Sequence, residues 1–247
     1  MKNPFSLQGK NVLVTGASSG IGRAVAIACA QMGATLTVSG RDESRLQCTY
    51  NELAGQGHSY YIADLTNENE IMALVNHLNH LDGIVHCAGI NKRIPVSGLS
   101  EKNIFNVMQA NFVSSVLLSR YLLKSKKLNP EASVVFISSI SVDYPTMGNA
   151  IYCASKGAVK SFAKVMALET VDTQIRVNCI EPGMVATEWL EKTGMTDEQI
   201  QQAISKYPFK RFGTPEEVAY AAVYLLSDTT KWMTGSVIKL DGGLTLK

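Results

Sequence analysis

The sequence contains no run of apolar residues long enough to cross a bilayer, which takes about 20 consecutive residues in a helix. Its first residues also lack an apolar segment of the length found in secretory signal peptides. Neither sign of charge is in large excess, since the net charge is +2 and the basic residues are scattered. We therefore expect neither a membrane partner nor a nucleic-acid partner.

Cysteine is scarce and is not arranged for metal binding or for a disulfide framework. The five cysteines are odd in number and have no paired metal-ligand spacing. Three of them lie inside apolar stretches, where a buried thiol is ordinary. The sequence therefore predicts no metal site and a reduced, cytoplasmic protein.

Short apolar runs alternate with helical patterns along the whole chain, without an internal repeat or a linker. This alternation predicts one α/β domain over residues 1–247, a Rossmann-type doubly wound parallel sheet of about seven strands with helices on both faces, in three α/β/α layers. Residues 188–210 are mixed in character and lie between the sixth strand and the next helix. They are either a mobile substrate lid or a packed pair of surface helices.

The first predicted strand is followed by a glycine-rich turn and a helix. Residues 11–15 (NVLVT) lead into GASSGIG, and an apolar helical pattern covers residues 21–32. Backbone N–H groups at such a helix start face an anion, and glycines let the backbone approach it closely. A plain tight turn is the less favoured alternative. The candidate cofactor residues here are Gly16, Ser18, Ser19, Gly20, Ile21 and Gly22.

The loop after the second predicted strand bears on which dinucleotide binds. An NAD site usually has a carboxylate at the end of this strand to bind the adenosine ribose. Ser39 stands at that position and Arg41 follows, and a guanidinium pairs well with a 2′-phosphate. Asp42 either binds the ribose or caps the helix that starts at Glu43, and capping is favoured. The sequence therefore favours NADP(H) over NAD(H).

Two further strand ends are predicted to lie along the same edge of the sheet. The third strand ends at Asp64-Leu65, and the fourth runs into Cys87-Ala88-Gly89. Ligands bind at the carboxyl edge of open α/β sheets, so both turns are candidates for cofactor contact. Asp64 either accepts a hydrogen bond from adenine or caps a turn. His86 is interpreted as a satisfied core residue rather than a catalytic one.

A tyrosine and a lysine stand at helical spacing after the fifth strand. Tyr152 and Lys156 are four residues apart in a predicted helix over 150–170, which Asn149 can cap, so they share one face. An ammonium beside a phenol favours the phenolate and lowers the tyrosine pKa from its usual value of about 10. Tyr152 would then be a proton donor and acceptor near neutral pH. Alone, this pair is weak evidence, because the spacing arises often by chance.

Residues 101–127 are predicted to form one long helix with apolar residues on more than one face. A single apolar stripe would suffice for packing on the core, so we expect a second cover for this helix. A homo-oligomer, dimer or tetramer, that forms through the helices at 101–127 and 150–170 would provide it. Asn111 is polar in the middle of the first helix and should have a specific partner if buried.

Taken in order, these motifs resemble the short-chain dehydrogenase/reductase family over almost the full length of the chain. The ordered set is far more specific than any of its members. The resemblance implies an NAD(P)H-dependent oxidoreductase that transfers hydride between the cofactor and a ketone or secondary alcohol. The matching residues are TGASSGIG at 15–22, Asp64-Leu65, Cys87-Ala88-Gly89, Asn111, Ser139, Tyr152, Lys156, Pro182-Gly183 and Thr187.

The resemblance also implies a role for the matching residues. Tyr152 would exchange a proton with the substrate oxygen, and Ser139 would hydrogen-bond that oxygen. Lys156 would lower the pKa of Tyr152 and bind the nicotinamide ribose, while Asn111 would anchor a water relay behind it. The nicotinamide amide would be held by the segment that contains Pro182, Gly183, Val185 and Thr187.

The chain departs from the family at two places. His86-Cys87 stands where the family commonly has two asparagines, and Glu181 stands where a small residue usually precedes the proline. In its overall sequence the chain most resembles the subgroup of 3-oxoacyl-carrier-protein reductases, which bind an acidic carrier protein through basic residues. The segment 171–174 supplies no basic charge for this. A reductase of a free carbonyl compound is therefore the main hypothesis, the carrier-protein reductase is the alternative, and a non-catalytic NADP(H)-sensing protein is a third.

The substrate pocket is the least specific part of the prediction. Its candidate residues mix charge with aromatic surface, which does not choose among acyl thioesters, sugars, polyols and steroids. These residues are Ser141, Asp143, Tyr144, Arg93 and Trp189.

Overall fold

A parallel seven-stranded sheet runs through the centre of the protein. The computed structural model describes residues 3–188 and 194–246. The strands lie in the order β3-β2-β1-β4-β5-β6-β7, and all neighbouring pairs are parallel. The order reverses between the first and fourth strands, where open α/β sheets have a ligand crevice. The strands are β1 (Asn11–Thr15), β2 (Thr35–Gly40), β3 (Ser59–Ile62), β4 (Leu81–His86), β5 (Leu128–Ile137), β6 (Arg176–Pro182) and β7 (Val237–Leu240).

Helices cover both faces of this sheet, which confirms the predicted doubly wound fold. They are α1 (Gly20–Gln31), α2 (Glu43–Asn51), α3 (Glu68–His77), α4 (Glu101–Met108), α5 (Ser114–Lys124), α6 (Ala150–Glu169), α7 (Asp197–Lys206) and α8 (Pro215–Leu226). On one face, α1, α2 and α8 share an apolar core with the strands, and on the other face α3, α5 and α6 do so. Asp42 caps α2 by accepting a hydrogen bond from the Arg45 N–H (3.0 Å), as the sequence favoured.

The long helix predicted over 101–127 is interrupted in its middle. A π-helical turn, Gln109–Val113, joins α4 to α5, and α5 ends at Lys124. Such a turn adds a residue to the helical repeat and rotates the side chains within it, often at functional sites. Asn111 lies in this turn and is 2% exposed. The π-helical turn therefore coincides with the position at which the polar side chain of Asn111 is buried.

Asn149 precedes α6 but does not cap it with its side chain. Its φ of −101° and ψ of 14° differ from the extended conformation of a capping residue. Its Nδ2 donates instead to the Thr146 hydroxyl oxygen (2.9 Å). The predicted cap is therefore wrong, and the Asn149 side chain is fixed to the preceding loop.

The segment predicted as either a lid or packed helices contains α7. Residues 189–193, which include Trp189, lie outside the described residues. α7 packs through Ile200 and Ile204 against a small apolar cluster that contains Tyr207. The described part of the segment therefore contains one helix that packs on the fold, and the choice between a lid and a packed helix pair stays a prediction.

No helix of the described residues is long and apolar enough to cross a membrane. Within residues 3–188 and 194–246, no three side chains of His, Cys, Asp or Glu come together in a way that could hold a metal ion. All five cysteines are free thiols, two of them buried in the core.

His86 ends β4 and is a core residue, as the sequence indicated. Its ring stacks on Phe136 with the centroids 4.5 Å apart, and its Nε2 lies 3.2 Å from the Ser119 hydroxyl oxygen on α5. Burial disfavours the charged ring and lowers the pKa of His86 to about 3. The side chain is therefore neutral at physiological pH.

Acid should destabilise the fold through His86. The pKa is about 3 in the folded protein and 6.5 in the reference state, so between these values the unfolded chain binds a proton that the folded protein does not. Stability is therefore lost as the pH falls below the upper value. Relative to His86→Asn, which cannot titrate, the wild-type free energy of unfolding should fall by up to about 1.4 kcal/mol per pH unit. Urea denaturation at several pH values measures this, and a pH-independent difference between the two proteins would contradict it.

Candidate active site

A cavity of about 1030 Å³ opens at the carboxyl edge of the sheet, across the ends of β1 and β4. The turns after β1 to β6 line it, so segments far apart in the sequence share one wall. Every residue predicted to bind the cofactor lies on this wall: Gly16, Ser18, Ser19, Gly20, Ile21, Gly22, Ser39, Arg41, Asp64, Leu65, Cys87, Ala88, Gly89, Tyr152, Lys156, Pro182, Gly183, Val185 and Thr187.

The glycine turn after β1 is packed too closely for side chains. A Cβ on Gly22 would lie 2.2 Å from the carbonyl oxygen of Gly16, and a Cβ on Gly16 would lie 2.8 Å from Cα of Ala88. Gly16 also has a φ of +63°, which side chains disfavour. Ser19 is the N-cap of α1, and within the described residues its side chain makes no capping hydrogen bond. The N–H groups at the start of α1 are therefore available to bind an anion. This arrangement fits the pyrophosphate of a dinucleotide.

The wall after β2 and β3 contains a guanidinium and a carboxylate. β2 runs to Gly40, one residue further than predicted, so Arg41 is the first residue beyond the strand. Its Nη1 lies 3.9 Å from Oδ2 of Asp64. Oδ1 of Asp64 accepts hydrogen bonds from the Thr66 N–H and hydroxyl, which is the turn-capping interpretation. The Ser39 hydroxyl is fully buried, without a hydrogen-bond partner among the described residues, whereas the Arg41 side chain is exposed. Arg41 is therefore the better candidate for a 2′-phosphate.

The segment after β6 folds over the glycine turn. A Cβ on Gly20 would lie 3.3 Å from Cγ2 of Thr187, so Thr187 lies beside the start of α1. The Met184 N–H donates to the Tyr207 hydroxyl (2.8 Å), which holds the backbone of this segment. Sequence reasoning missed Tyr207, because an isolated tyrosine at the end of a helix belongs to no motif.

Ser139 and Tyr152 converge at the end of β5. The Ser139 hydroxyl oxygen accepts hydrogen bonds from the N–H (3.2 Å) and the hydroxyl (2.9 Å) of Ser141. Tyr152 lies in the first turn of α6 and lines the same cavity as Ser139. Two hydroxyl groups are therefore available to one substrate oxygen.

Lys156 is buried next to Tyr152. Its Nζ donates to the carbonyl oxygen of Ile137 (2.7 Å) and lies 5.9 Å from the centre of the Tyr152 ring. Burial lowers the pKa of Lys156 to about 8. Burial also raises the pKa of Tyr152, and this outweighs the lowering by the Ser139 hydrogen bond. The predicted lowering of the Tyr152 pKa is therefore wrong for this structure, in which the ammonium is bonded to Ile137.

Asn111 supports the backbone beside Lys156 and does not itself line the cavity among the residues described. Its Oδ1 accepts from the Ile90 N–H (2.7 Å), and its Nδ2 donates to the Ile90 carbonyl oxygen (2.9 Å) and the Ser155 hydroxyl (3.0 Å). A Cβ on Gly89 would lie 3.2 Å from this Oδ1 and 3.5 Å from Nζ of Lys156. The carboxamide thus fixes the wall next to the lysine, and its part in a water relay stays a prediction.

The substrate end of the cavity contains three of the five predicted residues, Arg93, Ser141 and Tyr144. Trp189 lies outside the described residues. Asp143 is absent from the described lining, because its carboxylate pairs with Lys160 at 2.9 Å. Sequence reasoning missed further lining residues after β4, in the loop before α6 and at α7, where no motif marks them: Asn91, Asn149, Gln199 and Tyr207.

Comparison with known proteins finds relatives over nearly the whole chain. The family model described as enoyl-(acyl carrier protein) reductase matches residues 16–245. The chain is 30% identical to 3-oxoacyl-[acyl-carrier-protein] reductase FabG of Rickettsia prowazekii, over 98% of this chain and 99% of that protein. It is also 30% identical to a tropinone reductase homolog of Arabidopsis thaliana, over 98% and 94% of the two chains. A solved short-chain type dehydrogenase/reductase from Mycobacterium ulcerans has a TM-score of 0.89 and 30% identity, over 98% and 92%.

Gly22→Ala should weaken dinucleotide binding, because the new Cβ would lie 2.2 Å from the Gly16 carbonyl oxygen and the turn must move. We expect the Kd for NADPH to rise at least about tenfold, or about 1.4 kcal/mol. Gly157→Ala in α6 is the matched control, since its Cβ would meet only Cγ1 of Val142 at 3.7 Å. Fluorescence titration measures both, and equal Kd values for the two variants would contradict the assigned site.

Proposed function

The chain belongs to the short-chain dehydrogenase/reductase family, and from this we propose that it is an NADP(H)-dependent oxidoreductase of a ketone or secondary alcohol. Its relatives at equal identity carry the names of reductases with different substrates, so membership decides the reaction type and not the substrate. The observation that carries the proposal is the convergence of Ser139, Tyr152 and Lys156 on one cavity, which the glycine turn after β1 also lines.

The proposed mechanism uses two hydroxyl groups and a buried lysine. A bound nicotinamide supplies or accepts the hydride. Tyr152 gives its phenolic proton to the substrate oxygen during reduction and takes it back during oxidation. The Ser139 oxygen already accepts two hydrogen bonds from Ser141, so its own proton is the one left to donate to the substrate oxygen. Fixed donors of this kind stabilise a developing alkoxide. Lys156, with a pKa of about 8, is a proton source near neutral pH.

Tyr152→Phe should remove the proton donor and leave the cavity shape nearly unchanged. We expect kcat/KM for NADPH-dependent reduction of a carbonyl compound to fall about 100-fold or more, as general acid catalysis contributes about that much. The Kd for NADPH should stay within about twofold, because the substitution removes only the phenolic hydroxyl and leaves the glycine turn and the rest of the cavity wall in place. Tyr220→Phe, at an exposed position on α8, is the matched control. Equal turnover by wild type and Tyr152→Phe would rule out this mechanism.

The preference for NADP(H) rests on Arg41, the first residue after β2. Charge-assisted bonds between a guanidinium and a phosphate are strong, so Arg41→Ala should raise the KM for NADPH by about 10-fold to 100-fold. The KM for NADH, which has no 2′-phosphate, should change little. Arg23→Ala is the control, because this arginine pairs with Glu52 and does not line the described cavity. A better kcat/KM with NADH than with NADPH in the wild type would overturn the preference.

Reduction of a 3-oxoacyl group on a carrier protein is a second candidate, favoured by the names of relatives that match the chain end to end. The two candidates differ in the partner, because a carrier protein needs a basic docking surface. The described 3₁₀ turn Val171–Thr173 contains Asp172 and no basic residue. Comparing kcat/KM for a 3-oxoacyl thioester on carrier protein with that for the same thioester of a small thiol distinguishes them. A preference for the carrier-bound form of about 100-fold or more, about 2.7 kcal/mol, would favour the alternative.

The remaining elements of the proposal concern assembly and location. Apolar side chains are exposed on α4 (Ile104 and Phe105) and on α6 (Val165 and Leu168), which supports a homo-oligomer through these helices. Light scattering of the purified protein tests for a dimer or tetramer. A cytoplasmic location remains a prediction from the cysteine content. A non-catalytic NADP(H)-sensing protein is the third hypothesis, and turnover of any carbonyl compound in a broad panel would exclude it.

A further inference from the structure

The buried carboxylate of Glu181 has no part in the proposed reaction. It stands in β6 directly before Pro182, and its side chain is 1% exposed. Neither of its oxygens makes an aligned hydrogen bond with the described residues. An ionised carboxylate taken out of water is costly unless a cation compensates it. The function of Glu181 therefore depends on which cation it holds.

Lys160 is this cation, one helical turn after Lys156 on α6. Its Nζ lies 3.1 Å from Oε1 of Glu181 and 2.9 Å from Oδ2 of Asp143. Burial acts to lower the pKa of Lys160, but the two carboxylates outweigh it and raise this pKa above its usual value. The ammonium therefore stays charged and holds a buried carboxylate and a half-exposed one at the same time.

Asp143 connects this lysine to the turn that carries Ser139. The Asp143 N–H donates to the Ile140 carbonyl oxygen (3.0 Å), and the Ser139 hydroxyl accepts from the Ser141 N–H (3.2 Å). Residues 139–143 are thus one hydrogen-bonded unit whose far end is tied to α6. Because Tyr152 lies on the same helix, this ion pair links the turn that carries Ser139 to the helix that carries Tyr152.

We propose that Lys160, through its ion pair with Glu181, is a positioning residue that holds the turn of residues 139–143, which contains Ser139, against α6. An isolated surface pair would hold Asp143 only weakly. Here the Lys160 ammonium cannot move into solvent without leaving the Glu181 carboxylate uncompensated, so Lys160 remains beside Asp143. A small displacement of Ser139 would then slow the reaction, since catalysis depends on close alignment of the reacting groups. The kinetic part of this inference rests on the proposed function.

Five variants, Lys160→Arg among them, separate the positioning role of Lys160 from an effect on stability alone. Asp143→Asn cuts the tie and leaves the Lys160–Glu181 pair. Lys160→Met leaves Glu181 uncompensated, and Lys160→Met/Glu181→Gln removes both charges. Lys164→Met, on the exposed side of α6 one turn later, is the matched control. We measure Tm, kcat/KM with NADPH and a carbonyl substrate, the Kd for NADPH, and amide hydrogen exchange over residues 139–144.

Lys160→Met should lower Tm, and the double variant should recover it. The kcat/KM should nevertheless stay reduced about tenfold in Asp143→Asn, in Lys160→Met and in the double variant, with an unchanged Kd for NADPH. Exchange over residues 139–144 should accelerate in the same three variants and not in Lys164→Met, and Lys160→Arg should restore most of the activity. Wild-type exchange and kcat/KM in the double variant would overturn the inference. If the wild-type protein reduces no carbonyl compound, the proposed function fails, and exchange over residues 139–144 still decides the positioning role.

Discussion

Two lysines that α6 brings beneath the edge of the sheet impose the main constraint on this structure. Lys156 is buried and Lys160 partly buried, and an ammonium withdrawn from water is stable only with acceptors close by, which each of the two has. Lys156 is bonded to the carbonyl oxygen of Ile137, at the end of β5, and Lys160 lies between Glu181 and Asp143. Since Tyr152 is on the same helix, these bonds also fix where its phenol lies relative to the ends of β5 and β6.

The sheet supplies the other half of the site. Its strand order reverses between β1 and β4, and the turns that follow them lie so close that a Cβ on Gly16 would be 2.8 Å from Cα of Ala88. That contact leaves no room for side chains, so backbone groups and the start of α1 face the cavity. A wall of backbone N–H groups suits a pyrophosphate, while the hydroxyl groups on the β5 side suit a carbonyl oxygen. The two chemistries meet because both lie on one edge of one parallel sheet.

Much of this could be predicted because the signals are local. An apolar run, a glycine turn and a helix start are consecutive in the sequence, and Tyr152 and Lys156 share a helix face by their spacing alone. Asp42 as the cap of α2 and His86 as a core residue followed from the same kind of local reasoning. The failures were long-range. The lowered pKa of Tyr152 assumed an ammonium near the phenolic oxygen, but burial raises this pKa and the ammonium is bonded to the Ile137 carbonyl oxygen.

The amino-acid sequence by itself determined the alternation of strands and helices, the glycine turn before α1 and the shared helix face of Tyr152 and Lys156, because these depend on neighbours a few residues apart. Only the tertiary structure decided what Glu181 and Asp143 do. Their common partner is Lys160 on α6, and no local pattern around Glu181 or Asp143 indicates this pairing. The compensation of a buried charge depends on distances in space, and residues on β6, on α6 and in the Ser139 turn meet only once the sheet has formed.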